Sequence, residues 1–99
     1  MGFKLSVKAA EDVETIWLYT VEKWSLEQAD RYVNLILDEI EYLAENPQAG
    51  SDFSDVRKNY RCAKVKSHLV FYRQSDDNMD IEIIRVLHQR MDIENRLND

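Results

Sequence analysis

Histidine is the side chain whose unperturbed titration falls nearest neutrality, and this 99-residue sequence has two, His68 and His88. Arg61, Arg73, Arg85 and Arg90 could surround a phosphate if they share a face. His88 with Arg61, Arg73 and Arg85 would then make a metal-free ribonuclease site. One group would take the 2′-hydroxyl proton while the guanidinium groups steady the charged transition state. The plainer reading places both histidines at strand ends, satisfied by backbone or carboxylate partners. Zinc would need carboxylates beside Cys62, His68 and His88, so neither a metal nor a cofactor is expected. The sequence has no glycine-rich phosphate loop, no paired catalytic carboxylates and no Ser or Cys nucleophile motif.

Charge divides the chain. Residues 1–49 hold four Lys/Arg and ten Asp/Glu, a balance of −6, whereas residues 50–99 hold nine of each. Between Asp55 and Asp76 lies a stretch without acids that carries Arg57, Lys58, Arg61, Lys64, Lys66 and Arg73. An acidic helical side and a basic patch on the sheet follow, and that patch could receive an acidic partner segment. Net acidity disfavours tight, sequence-independent binding to nucleic acid. A lone cysteine fits a reducing cytoplasm. No apolar run reaches the length of a membrane span, and the N-terminus lacks a signal-peptide core. Met1-Gly2-Phe3-Lys4-Leu5-Ser6 matches the N-myristoylation pattern, but a lipid there would pull a buried strand out of the core.

The elements that must position these residues are read from spacing. Phe3 to Ser6 alternates as a first strand. Ser6 caps a helix that runs to about Trp24, with Glu11 and Asp12 near its positive end. Val13, Ile16, Trp17, Thr20, Val21 and Trp24 form its buried stripe. Ser25 and Gln28 make a capping box for a second helix. That helix carries Ala29, Tyr32, Val33, Ile36, Ile40, Leu43 and Ala44 on one face and ends near Asn46, ahead of Pro47. Residues 47–59 read as irregular, tacked down by Phe53 and Val56. Strands follow at Tyr60–Val65, His68–Arg73 and Ile81–Leu87, with a tight turn at Lys66-Ser67 and a hydrophilic hairpin loop at Ser75–Asn78. Ile83, Ile84 and Val86 make the last strand apolar on both faces, hence internal. Met91–Leu97 closes with a helical turn. The order β-α-α-β-β-β gives one α+β domain over residues 1–99, a helical hairpin on a mainly antiparallel sheet. The first strand can pair parallel to the last because the helices provide a crossover.

Several of these stretches carry a family resemblance. They are Leu5-Ser6, Glu11 to Trp17, Trp24, Gln28 to Tyr32, Leu43 to Pro47, Gly50, Arg57 and Tyr60-Arg61, then Ser67 to Arg73 and Ile84 to Asp92. With them the chain resembles the ParE-type toxins of the RelE/ParE toxin–antitoxin superfamily over nearly its whole length. The resemblance implies a growth-arresting toxin that poisons DNA gyrase without enzymatic activity of its own. It also implies a hetero-oligomer with a ParD-like antitoxin, and DNA contact only indirectly, through the antitoxin or gyrase. An acidic toxin suits a protein target better than an RNA substrate. Trp17, Trp24, Tyr32, Arg57, Arg61 and Lys64 are then candidate antitoxin contacts, and His88, Arg90 and Met91 candidate gyrase contacts. The chain departs from the family pattern in Lys66, where many relatives have Gly, and in Val7, often Pro. RelE-type ribonucleases carry an aromatic or second base near the C-terminus. Here Gln89 and Arg90 follow His88 and no Tyr does, so that constellation is incomplete. A ribosome-dependent mRNA endonuclease using Arg61, Arg73, Arg85 and His88 is the alternative, and a module that has lost toxicity is a third reading.

Overall fold

Ser6 does three jobs at the first junction. Its backbone N–H bonds Ile83 O at 2.9 Å and its hydroxyl donates to Ile84 O at 2.7 Å, extending the pairing of the first strand. The same hydroxyl accepts the Ala9 N–H at 2.9 Å and caps the first helix. The computed structural model describes residues 2–74 and 80–97. Its elements are β1 (Phe3–Leu5), α1 (Val7–Lys23), α2 (Leu26–Glu45), β2 (Ser51–Asp52), β3 (Arg61–Val65), β4 (His68–Gln74), β5 (Ile81–His88) and α3 (Ile93–Leu97). The expected hairpin loop at Ser75–Asn78 falls outside the described residues.

The strands form one sheet in the order β1-β5-β4-β3-β2, with β1 parallel to β5 and the other pairs antiparallel. The α+β architecture and the parallel first strand agree with the sequence reading. Ser25 accepts the Gln28 N–H and starts α2, while Asn46 closes it with bonds to Tyr42 O and Leu43 O before Pro47. The helical hairpin covers one face of the sheet. Ala9, Ile16, Ile36, Ile40 and Leu43 pack there on Val70, Tyr72, Ile81, Ile83 and Val86.

Three expectations need correction. Trp24 is not buried. It is the residue on which α1 ends, at φ −130° and ψ −87°, and the break in helical angles turns its ring outward to 71% exposure. The segment 47–59 is not wholly irregular, because Ser51 and Asp52 add an edge strand opposite Cys62 and Arg61. Two residues are too few to show an alternation. Asp12 lies beyond the first turn of α1 and serves the sheet rather than the helix dipole.

The outer face of the sheet has its own small core. Phe71, Leu87 and Leu97 are buried beneath Phe53, Val56, Tyr60 and Ile93, and Phe53 meets Phe71 edge-on at 5.1 Å. The two anchors expected in the loop therefore hold it against the sheet. The turn between β3 and β4 occupies Lys66 and Ser67, with Lys66 at φ 55°. A side chain thus sits in the left-handed region that glycine enters without steric cost.

Candidate functional site

The register of the sheet separates the residues proposed for phosphate chemistry. On β4, Val70 and Tyr72 face the helices and Phe71 faces outward. Arg61 pairs with Tyr72 and His88 with His68, which puts both on the helix face, while Arg85 and Arg73 lie opposite Phe71 and Glu82 on the other. His68 and Tyr72 are four positions apart on β4, roughly 13 Å. Each arginine also has a partner. Arg61 donates to Gly50 O and Gln48 O, and Arg73 pairs with Glu82 at 3.0 Å. Arg85 grips Asp12 through Nε and Nη2 at 2.8 and 3.0 Å.

The Arg85–Asp12 pair closes a gap in the sheet. β1 stops at Leu5, so the edge of β5 beyond Ile83 has no strand beside it. Asp12 supplies the missing acceptor and takes the Val86 N–H at 2.9 Å. Both side chains are largely buried, at 11% and 15% exposure, which suits a fully hydrogen-bonded pair. Arg90 is exposed. The four residues of the ribonuclease arrangement therefore do not converge on one phosphate.

His68 and His88 do converge, in a different setting. Paired across β4 and β5, their rings meet edge-to-face at 5.2 Å. They line a groove of about 450 Å³ whose walls include Ile16, Tyr19 and Thr20 of α1, Tyr32 of α2, Ser67 of the turn, and Trp24 and Met91 at the rim. Tyr19, Trp24 and Met91 are all more than 40% exposed. Tyr32 Oη lies 2.6 Å from His68 Nδ1 and is also bonded by the Ser67 backbone. Burial raises the Tyr32 phenol and keeps it protonated. Burial, then the neighbouring His88, push His68 down to about 4. His68 is neutral at physiological pH, and in the tautomer protonated on Nε2 its Nδ1 accepts the Tyr32 O–H.

Both Nδ1 atoms are engaged within the fold, His68 with the Tyr32 hydroxyl and His88 as acceptor of the Arg90 N–H at 3.1 Å. Cys62 sits in the outer core with the sheet between it and the histidines, and burial pushes its thiol up to about 11. Among the described residues no group of three metal-ligating side chains occurs.

The candidate contacts divide between two surfaces. Trp24 and Tyr32 line the groove together with His88 and Met91, although the first two were assigned to one partner and the last two to another. Trp17 is half-buried beside them and donates its indole N–H to Asp30 at 2.9 Å. Arg57 and Lys64 belong to the outer side. Arg57 donates to Leu97 O, and Lys64 is exposed on β3 between outward-facing Cys62 and helix-facing Val65. Tyr19 and His68 line the groove and were missed as contacts. Tyr19 falls outside the apolar stripe of α1, which was the available signal.

Comparison with known proteins agrees with this architecture. A sequence model described as "ParE toxin of type II toxin-antitoxin system, parDE" matches residues 3–93. Toxin ParE1 of Caulobacter vibrioides is 40% identical over 89 residues, 90% of each chain. Toxin ParE1 of Mycobacterium tuberculosis is 36% identical over 95 residues, 96% of each. Among solved structures, a chain of the chromosomal ParDE system from P. aeruginosa superposes with a TM-score of 0.72 at 23% identity, covering 89% of this chain and 95% of its own, a likeness of fold. With the model match and these relatives spanning almost its full length, the chain belongs to the ParE toxin family of type II toxin–antitoxin systems.

Proposed function

We propose that this protein is the toxin of a ParDE pair that arrests growth by binding DNA gyrase through a protein surface, without catalysis. A ParD-like antitoxin neutralises it by occupying the same surface. The observation that carries this reading is the groove. Tyr19, Trp24 and Met91 stay exposed around a floor of His68, His88 and Tyr32, while Arg61, Arg73 and Arg85 are held by internal partners. Aromatic side chains at the rim of an open apolar groove suit a protein contact. A phosphodiester transition state needs cations aimed at one point.

Because residues assigned to both partners line one groove, the antitoxin and gyrase exclude each other sterically. The test is expression without antitoxin in the cytoplasm, with supercoiling by purified gyrase and mRNA integrity followed in parallel. Lost supercoiling with intact mRNA is expected. Intact supercoiling with codon-positioned mRNA cuts would replace this reading with the endonuclease.

A further inference from the structure

The floor of the groove is a pair of imidazoles in a largely apolar space. His88 Nδ1 accepts the Arg90 N–H, and His68 Nδ1 bonds the Tyr32 hydroxyl, with the ring proton on Nε2 when the phenol donates. Neither Nε2 has a partner among the described residues, and no buried side-chain polar atom there lacks one, so both stay accessible beside the groove that the rings line. No acidic residue lines it, in a chain whose net charge is −6. A cation stands at its margin, Lys23 Nζ, 5.9 Å over the ring of the lining residue Tyr19. The nearest carboxylate influence on His68 is Asp12, and Arg85 holds it in an ion pair.

From this arrangement we infer that the groove is a receptor for a carboxylate borne next to a bulky apolar side chain, supplied by an acidic–apolar segment of the antitoxin. The carboxylate accepts both Nε2–H groups while the apolar side chain packs on Ile16, Tyr19 and Trp24. This assignment rests on the toxin–antitoxin reading for the identity of the occupant. The chemistry of the receptor stands on the geometry. A bound carboxylate favours the charged imidazolium, so binding draws a proton onto His68, which burial holds down to about 4 in the free protein. Affinity then tightens as pH falls from the raised value in the complex toward about 4, by up to about tenfold per pH unit. The other titratable groups facing the pair are Tyr19, Tyr32, whose phenol burial keeps protonated, and Asp12.

The test follows the imidazole NMR signals of the full chain during titration with 3-phenylpropionate and with its neutral amide, and then in the complex with co-expressed antitoxin. The acid should shift both rings and bind about tenfold more tightly than the amide, since a charge-assisted hydrogen bond exceeds a neutral one. His88→Phe should erase that preference. In the antitoxin complex the His68 ring should titrate at higher pH than in the free toxin, and neither ring should respond to the probe any longer. Equal binding of acid and amide would overturn carboxylate recognition. Rings that still respond to the acid inside the complex would overturn the choice of occupant while leaving the pairing of toxin and antitoxin intact. If no complex formed, the occupant would fall with the functional reading, and the probe titration would still judge the receptor.

Discussion

The edge of β5 and the groove beside its end put polar side chains to opposite purposes. At the edge, Asp12, Arg85 and the Val86 N–H satisfy one another and are largely withdrawn from water. At the groove, aromatic and apolar side chains stay exposed above a histidine pair. The arginines that could surround a phosphate in the sequence reading, Arg61, Arg73 and Arg85, are held by partners within the fold. Side chains that look like ordinary core, Trp24 above all, are left at the surface. A side chain is available for function only when the fold has not already consumed its bonding capacity.

The sharpest way to break this contrast is at the edge. Asp12→Ala takes the carboxylate from the Arg85 guanidinium, which still donates to Arg96 O, and leaves the Val86 N–H without its acceptor, and should cost about 3–5 kcal/mol by urea denaturation. That is much of the stability of a small domain. A loss near zero would mean that the pair is ornamental. A second structural contact comes next in size. Tyr72 Oη accepts the Gly50 N–H and donates to Pro47 O, both at 2.9 Å. A Cβ on Gly50 would run into that hydroxyl. Gly50→Ala should therefore cost about 1–3 kcal/mol through overpacking.

The groove should behave in the reverse manner. Trp24→Ala should change stability by no more than about 0.5 kcal/mol, yet weaken antitoxin binding by about 2 kcal/mol, roughly 30-fold. Calorimetric titration beside a denaturation curve reads both. The smallest effect lies in the turn that carries the groove wall. Lys66→Gly relieves a side chain at φ 55° and should stabilise the fold by up to about 1 kcal/mol, reduced by the greater freedom of glycine in the unfolded chain. Thermal melts would register it.

Local signals made much of this architecture legible. Ser6, Ser25 and Asn46 mark helix ends through bonds within a few residues, and each acts as its position suggests. Trp24 defeated the periodic reading because its spacing fits the buried stripe while its backbone has already left the helix. Asp12 could not be read, since its partners lie 73 and 74 residues away and the need for it arises only where β1 stops short. The histidine pair depends on the register between β4 and β5, and the groove draws its lining from Thr15 to Met91. Residue types suggested the family and the kind of partner, but only the sheet register could tell that Arg61, Arg73, Arg85 and His88 never meet.

The most direct measurement compares Met91→Ala with Arg73→Ala in a gyrase supercoiling assay, using purified toxin at matched concentrations. Both side chains are substantially exposed, so neither change should unfold the protein. Met91→Ala is predicted to lose inhibition at least several-fold and Arg73→Ala to retain it, because the first lies on the groove and the second only pairs with Glu82. Full inhibition by Met91→Ala together with loss in Arg73→Ala would contradict the claim that the groove, and not the arginine-bearing sheet, is the working surface.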